Sequence, residues 1–491
     1  MEILIKNLGS IKNNKQTIDL SKKLYVFVGN NNSGKTYVSQ LIWTIVNEEV
    51  HQKFSRQTDI DFDLEADSFE IKKEIIDEVL NKYEEFIKKE LATTYNVENS
   101  TYENTVLDKF SLEFIYDMND IFNTGFEATL NISEEDGNDV AFFTLRKESE
   151  SLKVVIENTD LTKIPIYFPK NRISTERLKL KKSVFISSVI KNLLNVSNNT
   201  LFLPANRSFY ATFYQYIYKI EREKREKEIS KLMDILDKKR KNKNEELNLD
   251  FNSFKKPYTE PVNDLFERLY DFNKDAEETK NYSNLVERVS ELMGGEITMN
   301  SLEGISMIDF NLKIKDIDKN LPMYLSSSSV NQLTLIYLYF KYWADEKDNF
   351  LLIDEPEENL NPKNQIKLLE ILIDFANESN NKVLITTHSP IIAESINNYS
   401  YLDILKNELN LNVEDIITQN KLKYINSNTS IAKEDVGVYF FDGKKIIHYD
   451  DNEYGISFDN FREVSTSMET NSKVLTDYIY LKRQKTIESN E

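Results

Sequence analysis

Eight residues near the start, Gly29-Asn30-Asn31-Asn32-Ser33-Gly34-Lys35-Thr36, constrain this chain more than any other stretch. They fit G-x-x-x-x-G-K-[ST], the phosphate-binding P-loop pattern, with every fixed position present. The run before them, Leu24-Tyr25-Val26-Phe27-Val28, is apolar and rich in β-branched and aromatic residues, so it reads as a buried strand. The run after them, Tyr37-Val38-Ser39-Gln40-Leu41-Ile42-Trp43, carries no Gly or Pro and reads as a helix. A strand-loop-helix junction turns successive N–H groups toward one point, and the helix N-terminus adds its positive dipole there. Gly29 and Gly34 let the backbone approach phosphate oxygens closely. Lys35 is expected to reach the β- and γ-phosphates, and the Thr36 hydroxyl to ligate Mg²⁺.

Composition bounds the rest. At 491 residues the chain exceeds the size at which one core stops growing, so two or more domains are expected. No stretch approaches the ~18 consecutive apolar residues of a membrane span. The first residues, Met1-Glu2-Ile3-Leu4-Ile5-Lys6, are strand-like and lack a signal-peptide core. Cysteine is absent, which excludes disulfides and thiolate metal sites. Together these features predict a cytoplasmic protein with no membrane association. A net charge of -20 makes the chain a poor general nucleic-acid binder, so DNA contact would need a local basic patch.

Three further landmarks lie downstream. Asn349-Phe350-Leu351-Leu352-Ile353-Asp354-Glu355-Pro356 is an apolar strand ending in two carboxylates. In a parallel sheet such a strand delivers Asp354 to the P-loop end, where it supports the Mg²⁺ shell. Glu355, one residue on, points differently and reaches the attacking water. Lys382-Val383-Leu384-Ile385-Thr386-Thr387-His388 is the next strand, and it ends on one of only three histidines, His51, His388 and His448. Ser389-Pro390 then starts a helix, with Ser as N-cap and Pro at the first helical position. Upstream, Leu325-Ser326-Ser327-Ser328-Ser329-Val330-Asn331-Gln332-Leu333 places a serine cluster at the start of another helix. That start reads either as a second anion-binding point or as a polar loop with an N-cap.

The order of P-loop, long insertion, serine cluster, Asp-Glu strand, Asn359-Leu360-Asn361-Pro362 and strand-His resembles ATP-binding-cassette (ABC) type ATPases of the SMC, RecF and OLD group, within the AAA family. On that resemblance Lys35 and Thr36 match Walker A. Asp354 and Glu355 match the Walker B aspartate and the catalytic glutamate. Ser328 matches the signature serine, Asn359 to Pro362 the D-loop, and His388 the switch histidine. Ile5 to Lys12 looks like the first strand and turn of the group. Leu203-Pro204-Ala205-Asn206-Arg207-Ser208 resembles a Pro-Ala-x-Arg-Ser element of its bacterial defence-associated members. The pattern departs from the group in three places. Ser329 stands where the signature glycine is usual, Asn361 where the D-loop carries Asp or His, and only Gln215 is near a Q-loop position.

The resemblance implies an α/β fold: an ABC-type head, a mixed sheet flanked by helices, with a helical insertion and a small α+β C-terminal region. The expected division is a Walker A lobe (1–60), a helical insertion (61–125), antiparallel strands and remaining head (126–215), a helical hairpin insertion (216–293), a lobe with signature, Walker B and switch histidine (294–400), and a C-terminal region (401–491). Within these, residues 66–93 and 104–122 read as amphipathic helices. Residues 126–157 read as strands. A long helical run over 209–245 has a return near 260–293, placed where SMC-type ATPases carry their coiled coil. Lys163, Lys170, Arg172, Arg177, Lys179, Lys181 and Lys182 form a basic segment, read either as a phosphate-contacting patch or as a solvated face. Val436 to Tyr449 reads as a hairpin around Asp442-Gly443, with a helix at about 457–482, which leaves little room for the Toprim nuclease domain of OLD proteins.

The implied function is ATP binding and hydrolysis with Mg²⁺ in a head-to-tail homodimer or higher homo-oligomer. Gly29 to Thr36 and Ser328 would bind nucleotide, Thr36 and Asp354 the metal, and Glu355, His388 and Lys35 would act on the γ-phosphate and water. The resemblance further implies a sensor or scaffold subunit of a bacterial anti-phage complex with a separate effector, a nuclease or toxin. A RecF- or SMC-like DNA repair ATPase and a non-hydrolysing nucleotide-switched scaffold are the alternatives.

Overall fold

The computed structural model describes residues 1–60, 67–97, 102–133, 139–158, 173–214, 216–217, 220, 258–272, 276–301, 308–315, 317, 319–449, 451–452, 455–456, 458, 463 and 466–478. Short strands β1 (Glu2–Lys6) and β2 (Thr17–Asp19) precede β3 (Leu24–Gly29), which runs through the P-loop into α1 (Lys35–Val46) and α2 (Glu48–Gln57). Next come β4 (Ser68–Glu70), α3 (Lys73–Thr94), β5 (Ser111–Ile115), α4 (Met118–Asn123) and the strands β6 (Phe126–Ser133), β7 (Asp139–Lys147) and β8 (Lys153–Asn158). α5 (Ile173–Leu194) leads into β9 (Asn199–Leu203) and the helical turns of α6 (207–214). Beyond these lie α7 (Glu260–Asp271), α8 (Ser283–Met293), β10 (Gly295–Ser301), β11 (Ile308–Ile314) and β12 (Asn320–Pro322). The last third holds α9 (Ser328–Leu338), β13 (Asn349–Asp354), α10 (Pro362–Asn377), β14 (Lys382–Thr387), α11 (Pro390–Asp403), α12 (Val413–Gln419), β15 (Val436–Phe441) and β16 (Ile446–His448).

A six-stranded sheet in the order β16-β15-β3-β14-β13-β9 organises the head. All its pairings are parallel except the β15–β16 hairpin. β3, β13 and β14 are buried at every residue, which is why their sequences are continuous apolar runs rather than alternating ones. Burying one such side chain contributes roughly 1.5–3 kcal/mol, so the sheet is the rigid part of the molecule. Register sets the function: Gly29 pairs with Phe441, Val28 with Thr387, Asp354 with Thr386, and Ile353 with Leu203. The carboxyl ends of five strands therefore form one row. This is the α/β head expected from the sequence. Three antiparallel sheets of three or four strands, β2-β1-β5, β4-β8-β7-β6 and β10-β11-β12, and a two-stranded ladder of Asp451–Asn452 with Gly455–Ile456 accompany it, and the expected strands of 126–157 are β6 to β8. Among the described residues no helix is long and apolar enough to cross a membrane.

Several expectations are corrected. Residues 104–122 are not one amphipathic helix. Ser111–Ile115 is a strand paired with β1, its Leu112 buried between exposed Ser111 and Glu113, and only Met118–Asn123 is helical. Ser-Leu-Glu-Phe has period 2, which the helical reading overlooked. The stretch 260–293 does not return as one projecting helix. α7 buries Val262, Leu265, Phe266 and Leu269, and Arg268 donates to Thr200 O of β9 (3.2 Å), so α7 lies on the head. The described basic residues do not form an open patch. Arg177 is buried, donates to Phe142 O and stacks on that ring; Lys181 is buried; Lys182 donates to Ile60 O (2.7 Å). Lys163, Lys170 and Arg172, residues 221–245 of the long helical run, and Gln215 lie outside the described residues. The 436–449 hairpin forms as expected, but it joins the central sheet beside β3. The helix beyond it is described over 466–478.

That placement brings the β15 backbone against the P-loop. A Cβ on Gly29 would sit 2.3 Å from Phe441 O. Gly29→Ala is expected to force β3 and β15 apart and to cost about 1–3 kcal/mol, read as a lower urea midpoint. An unchanged midpoint would contradict the seating of β15.

Candidate functional site

The P-loop leaves β3 at Gly29 and enters α1 at Lys35. Its curvature needs left-handed backbone at Asn32 (φ 59) and Gly34 (φ 100). Asn tolerates that conformation better than most residues, and glycine adopts it freely. A Cβ at Gly34 would press on Ser10 and Ile11 of the first turn, so the loop sits directly on that turn. Asn30, Asn31 and Asn32 are exposed, whereas Ser33 and Lys35 are buried. Ser33 is 1% exposed and its hydroxyl has no partner, an orphaned polar atom inside the loop.

The Lys35 ammonium spends its three protons on three acceptors, Gly29 O, Asn30 O and His388 Nε2, each at 3.0 Å. Burial pushes its pKa down, while Glu355, Asp354 and Glu357 pull it back up. Because an ammonium only donates, His388 Nε2 must accept in this bond, which places the ring proton on Nδ1. The same Nε2 lies 3.4 Å from Glu355 Oε1. The ring can serve Glu355 as a donor only when Nε2 is protonated and the Lys35 bond is released. With Nε2 protonated, its hydrogen bond to Glu355 is the main influence that holds the carboxyl below its usual range, against burial.

Asp354 ends β13 and is 3% exposed. Thr386 Oγ1 on the adjacent strand donates to its Oδ1 (2.9 Å), and the Thr36 hydroxyl lies near enough to the same carboxyl to favour its ionised form. Asp354 and Thr36 thus offer two neighbouring hard oxygens, the donor type that Mg²⁺ takes. Among the described residues no group of three or more His, Cys, Asp or Glu could hold a metal by itself. A metal here would take its remaining ligands from phosphate and water. Glu355 adopts a left-handed backbone (φ 48), and its N–H is held by Thr386 O (3.0 Å) and Thr386 Oγ1 (3.2 Å).

The structure therefore gathers Lys35, Thr36, Asp354, Glu355 and His388 at one edge of the sheet. None of these bonds involves Ser328. It is exposed in the first turn of α9, and Ser327 is that helix's N-cap, accepting from Val330 N (3.3 Å). Ser389 caps α11, with Pro390 at the first helical position, as expected. Of the other histidines, His51 is buried, bonded to Ile45 O (2.6 Å) and pushed down to about 3 by burial, and His448 lies in β16.

Two residues were missed by the sequence reading. Glu357 Oε1 accepts from Thr387 Oγ1 (2.6 Å), His388 N (2.8 Å) and Ser389 N (3.1 Å), so it sets the main chain that carries the histidine. Its only sequence signal was a third acid after Asp354-Glu355-Pro356. Arg207 was visible in the Pro-Ala-x-Arg-Ser element but carried no assigned role.

A family model described as "AAA ATPase domain" matches residues 1–393. No curated protein matches the chain. Among solved structures it is similar to the SmcHead bound to the C-winged helix domain of ScpA, at 11% identity, over 91% of this chain and 97% of that one, with a TM-score of 0.33. It is also similar to the SMC head domain from Thermotoga maritima, at 10% identity, over 91% and 98%, with a TM-score of 0.28. The recombination mediator protein RecF-ATPrS of the RecFOR pathway matches at 10% identity, over 91% and 97%, with a TM-score of 0.31. At these values the likeness does not extend to sites or partners.

Burial lifts the Asp354 carboxyl from 3.8 to about 6, with Thr36 and Thr386 acting in the opposite direction. In metal-free protein the folded state holds this proton more tightly than the unfolded state. The contribution is fully present below about pH 4 and lost as pH rises through about 6, by roughly 3 kcal/mol at most. Urea unfolding of wild type and Asp354→Asn across that window is expected to show the slope in the first and a flatter line in the second. Parallel pH profiles would contradict the burial argument.

Proposed function

The chain belongs to the AAA ATPase domain family, and from that premise we propose that it binds ATP and hydrolyses it in a site completed by a second copy of the chain. The observation that carries this reading is the convergence of Lys35, Thr36, Asp354, Glu355 and His388 on one sheet edge beside the P-loop. The loop's N–H groups and the α1 dipole receive the phosphates. Lys35 exchanges its carbonyl and histidine partners for β- and γ-phosphate oxygens, and the orphaned Ser33 hydroxyl gains an acceptor. Thr36 and Asp354 hold Mg²⁺, which when bound neutralises charge developing on the phosphates. Release of Lys35 from His388 frees the imidazole for the γ-phosphate or for Glu355. Glu355, ionised at neutral pH, takes the proton of the attacking water.

Ser328 lies outside this bond network, on an exposed helix start, which suits a contact made to the nucleotide of a facing copy. Two heads then meet head-to-tail about a two-fold axis, with two ATP molecules between them. The acidic chain, at -20, makes bound Mg²⁺ the natural offset to repulsion between heads. A sensor or scaffold role in a bacterial anti-phage complex, with a separate nuclease or toxin as effector, is the finer reading, supported by the Pro-Ala-x-Arg-Ser resemblance. Identification of the chains that co-purify from the native host tests it; a preparation free of any effector counts against it. The DNA-repair alternative stays open: Arg177, Lys181 and Lys182 turn inward, Lys179 is exposed, and Lys163, Lys170 and Arg172 lie outside the described residues.

Lys35→Ala is expected to abolish ATP binding by calorimetry while leaving the fold intact. Glu355→Gln is expected to keep binding and lose on the order of 10²–10⁴-fold in turnover. The shared site has a sharper test. Lys35→Ala and Ser328→Arg chains should each be inactive, yet a heterodimer puts both lesions in one site and leaves the other whole. Activity returning on mixing supports the composite site; full wild-type turnover by Ser328→Arg alone rejects it.

A further inference from the structure

Among the described residues Arg207 is the largest side chain with no exposure at all. It has no part in the reaction as described above. All five hydrogen bonds of its side chain end on main-chain carbonyls. Nε donates to Gln332 O (3.1 Å), Nη1 to Asp354 O (2.8 Å) and Glu355 O (3.3 Å), and Nη2 to Glu355 O (3.3 Å) and Pro356 O (2.9 Å). Burial pulls its pKa down to about 10, with Glu358, Glu357, Asp354 and Glu355 opposing, so it stays charged at neutral pH.

The turn that Arg207 grips is an unusual one. Glu355 is a non-glycine residue with φ 48, and it directly precedes Pro356. A proline disfavours the right-handed helical conformation at the residue before it, and the left-handed one is strained for glutamate. Such backbone persists only where its surroundings over-determine it. Thr386 fixes the N–H side of Glu355, and the Arg207 fork fixes the carbonyls of residues 354, 355 and 356 on the other. The direction of the Glu355 carboxylate follows from that backbone.

A second tie runs to α9. Gln332 is fully buried; its Nε2 donates to Ala205 O (2.9 Å) and Glu358 Oε2 (3.1 Å), and its Oε1 accepts from Ser208 N (3.1 Å). The loop bearing Arg207 and the acids after Glu355 therefore both hang on the helix whose first turn carries Ser328.

We propose that Arg207 is the positioning residue for Glu355, and that through Gln332 it sets the aim of that carboxylate by the seat of α9, so the serine turn and the carboxylate of one chain are placed together. The inference rests on the reading of Glu355 as the base. Arg207 itself touches no substrate. Its planar fork spans three successive carbonyls, which the single ammonium of lysine cannot do.

The test is a double-mutant cycle on ATP turnover and affinity. Arg207→Lys is expected to leave ATP affinity unchanged and to lower kcat on the order of 10²-fold, the scale of a misplaced catalytic group. In a Glu355→Gln background, single-turnover rates should then be insensitive to Arg207→Lys, because nothing is left to position. Equal losses in both backgrounds, or a fall in affinity and melting temperature with kcat unchanged, would overturn the proposal. Should Arg207→Lys fail to fold, Gln332→Leu decides. It removes three side-chain bonds, leaves the Gln332 carbonyl for Arg207, and is expected to reproduce the pattern at smaller amplitude; wild-type kcat there overturns the proposal. If Glu355→Gln stalls turnover while Arg207→Lys does not, only this inference falls. If Glu355→Gln turns over like wild type, the underlying reading falls and takes the inference with it.

Discussion

Parallel register in one buried sheet is the constraint on which everything else depends. Five strands point the same way, and their ends align at Gly29, Phe441, Thr387, Asp354 and Leu203. Parallel strands open their loops at the same edge, so ligand-binding groups from distant parts of the chain meet there without special contacts. The strands are buried almost throughout, so that edge is low in dielectric and strong in field. Lys35, Asp354 and Arg207 are all buried there, and each is held by hydrogen bonds within the chain. Burial shifts each of the three toward its neutral form, and neighbouring groups of opposite charge or matching hydrogen-bond role limit the shift.

The arrangement has a clear electrostatic logic. The Lys35 ammonium closes on its own loop and on His388, and the Glu355 carboxylate stands beside the same imidazole nitrogen. One nitrogen cannot accept from Lys35 and donate to Glu355 at once. On the proposed function, phosphate in the loop changes the histidine's partner as well as the lysine's. Glu357 holds the histidine's main chain, and Arg207 holds the carbonyls around Glu355.

The legible parts of this molecule were the ones written locally. Strand, loop and helix around Lys35 sit within a short window, and so do the Asp354 strand and the Ser389-Pro390 cap. Short-range rules suffice for those. Period 2 in Ser111 to Phe114 was present but was overridden by charge spacing that also suits a helix. The place of β15 beside β3 was not legible, because nothing in Val436 to Phe441 names its neighbour. Arg207 shows the limit most clearly: its partners lie 125 to 149 residues away, and all are carbonyls that every residue possesses. The inward turn of Arg177, Lys181 and Lys182 was hidden for a related reason. Charge counts cannot distinguish a lysine in water from one donating to a distant main-chain oxygen, as Lys182 does to Ile60.

The central claim is that two copies of this chain close on ATP. Sedimentation of the Glu355→Gln chain, which should bind without turning over, tests it most directly. Without nucleotide the chain is expected to run as a monomer. With Mg²⁺ and ATP it is expected to run as a dimer holding two nucleotides, and Ser328→Arg in the same background is expected to bind ATP yet stay monomeric. A Glu355→Gln chain saturated with ATP that remains a monomer at every concentration would contradict the account.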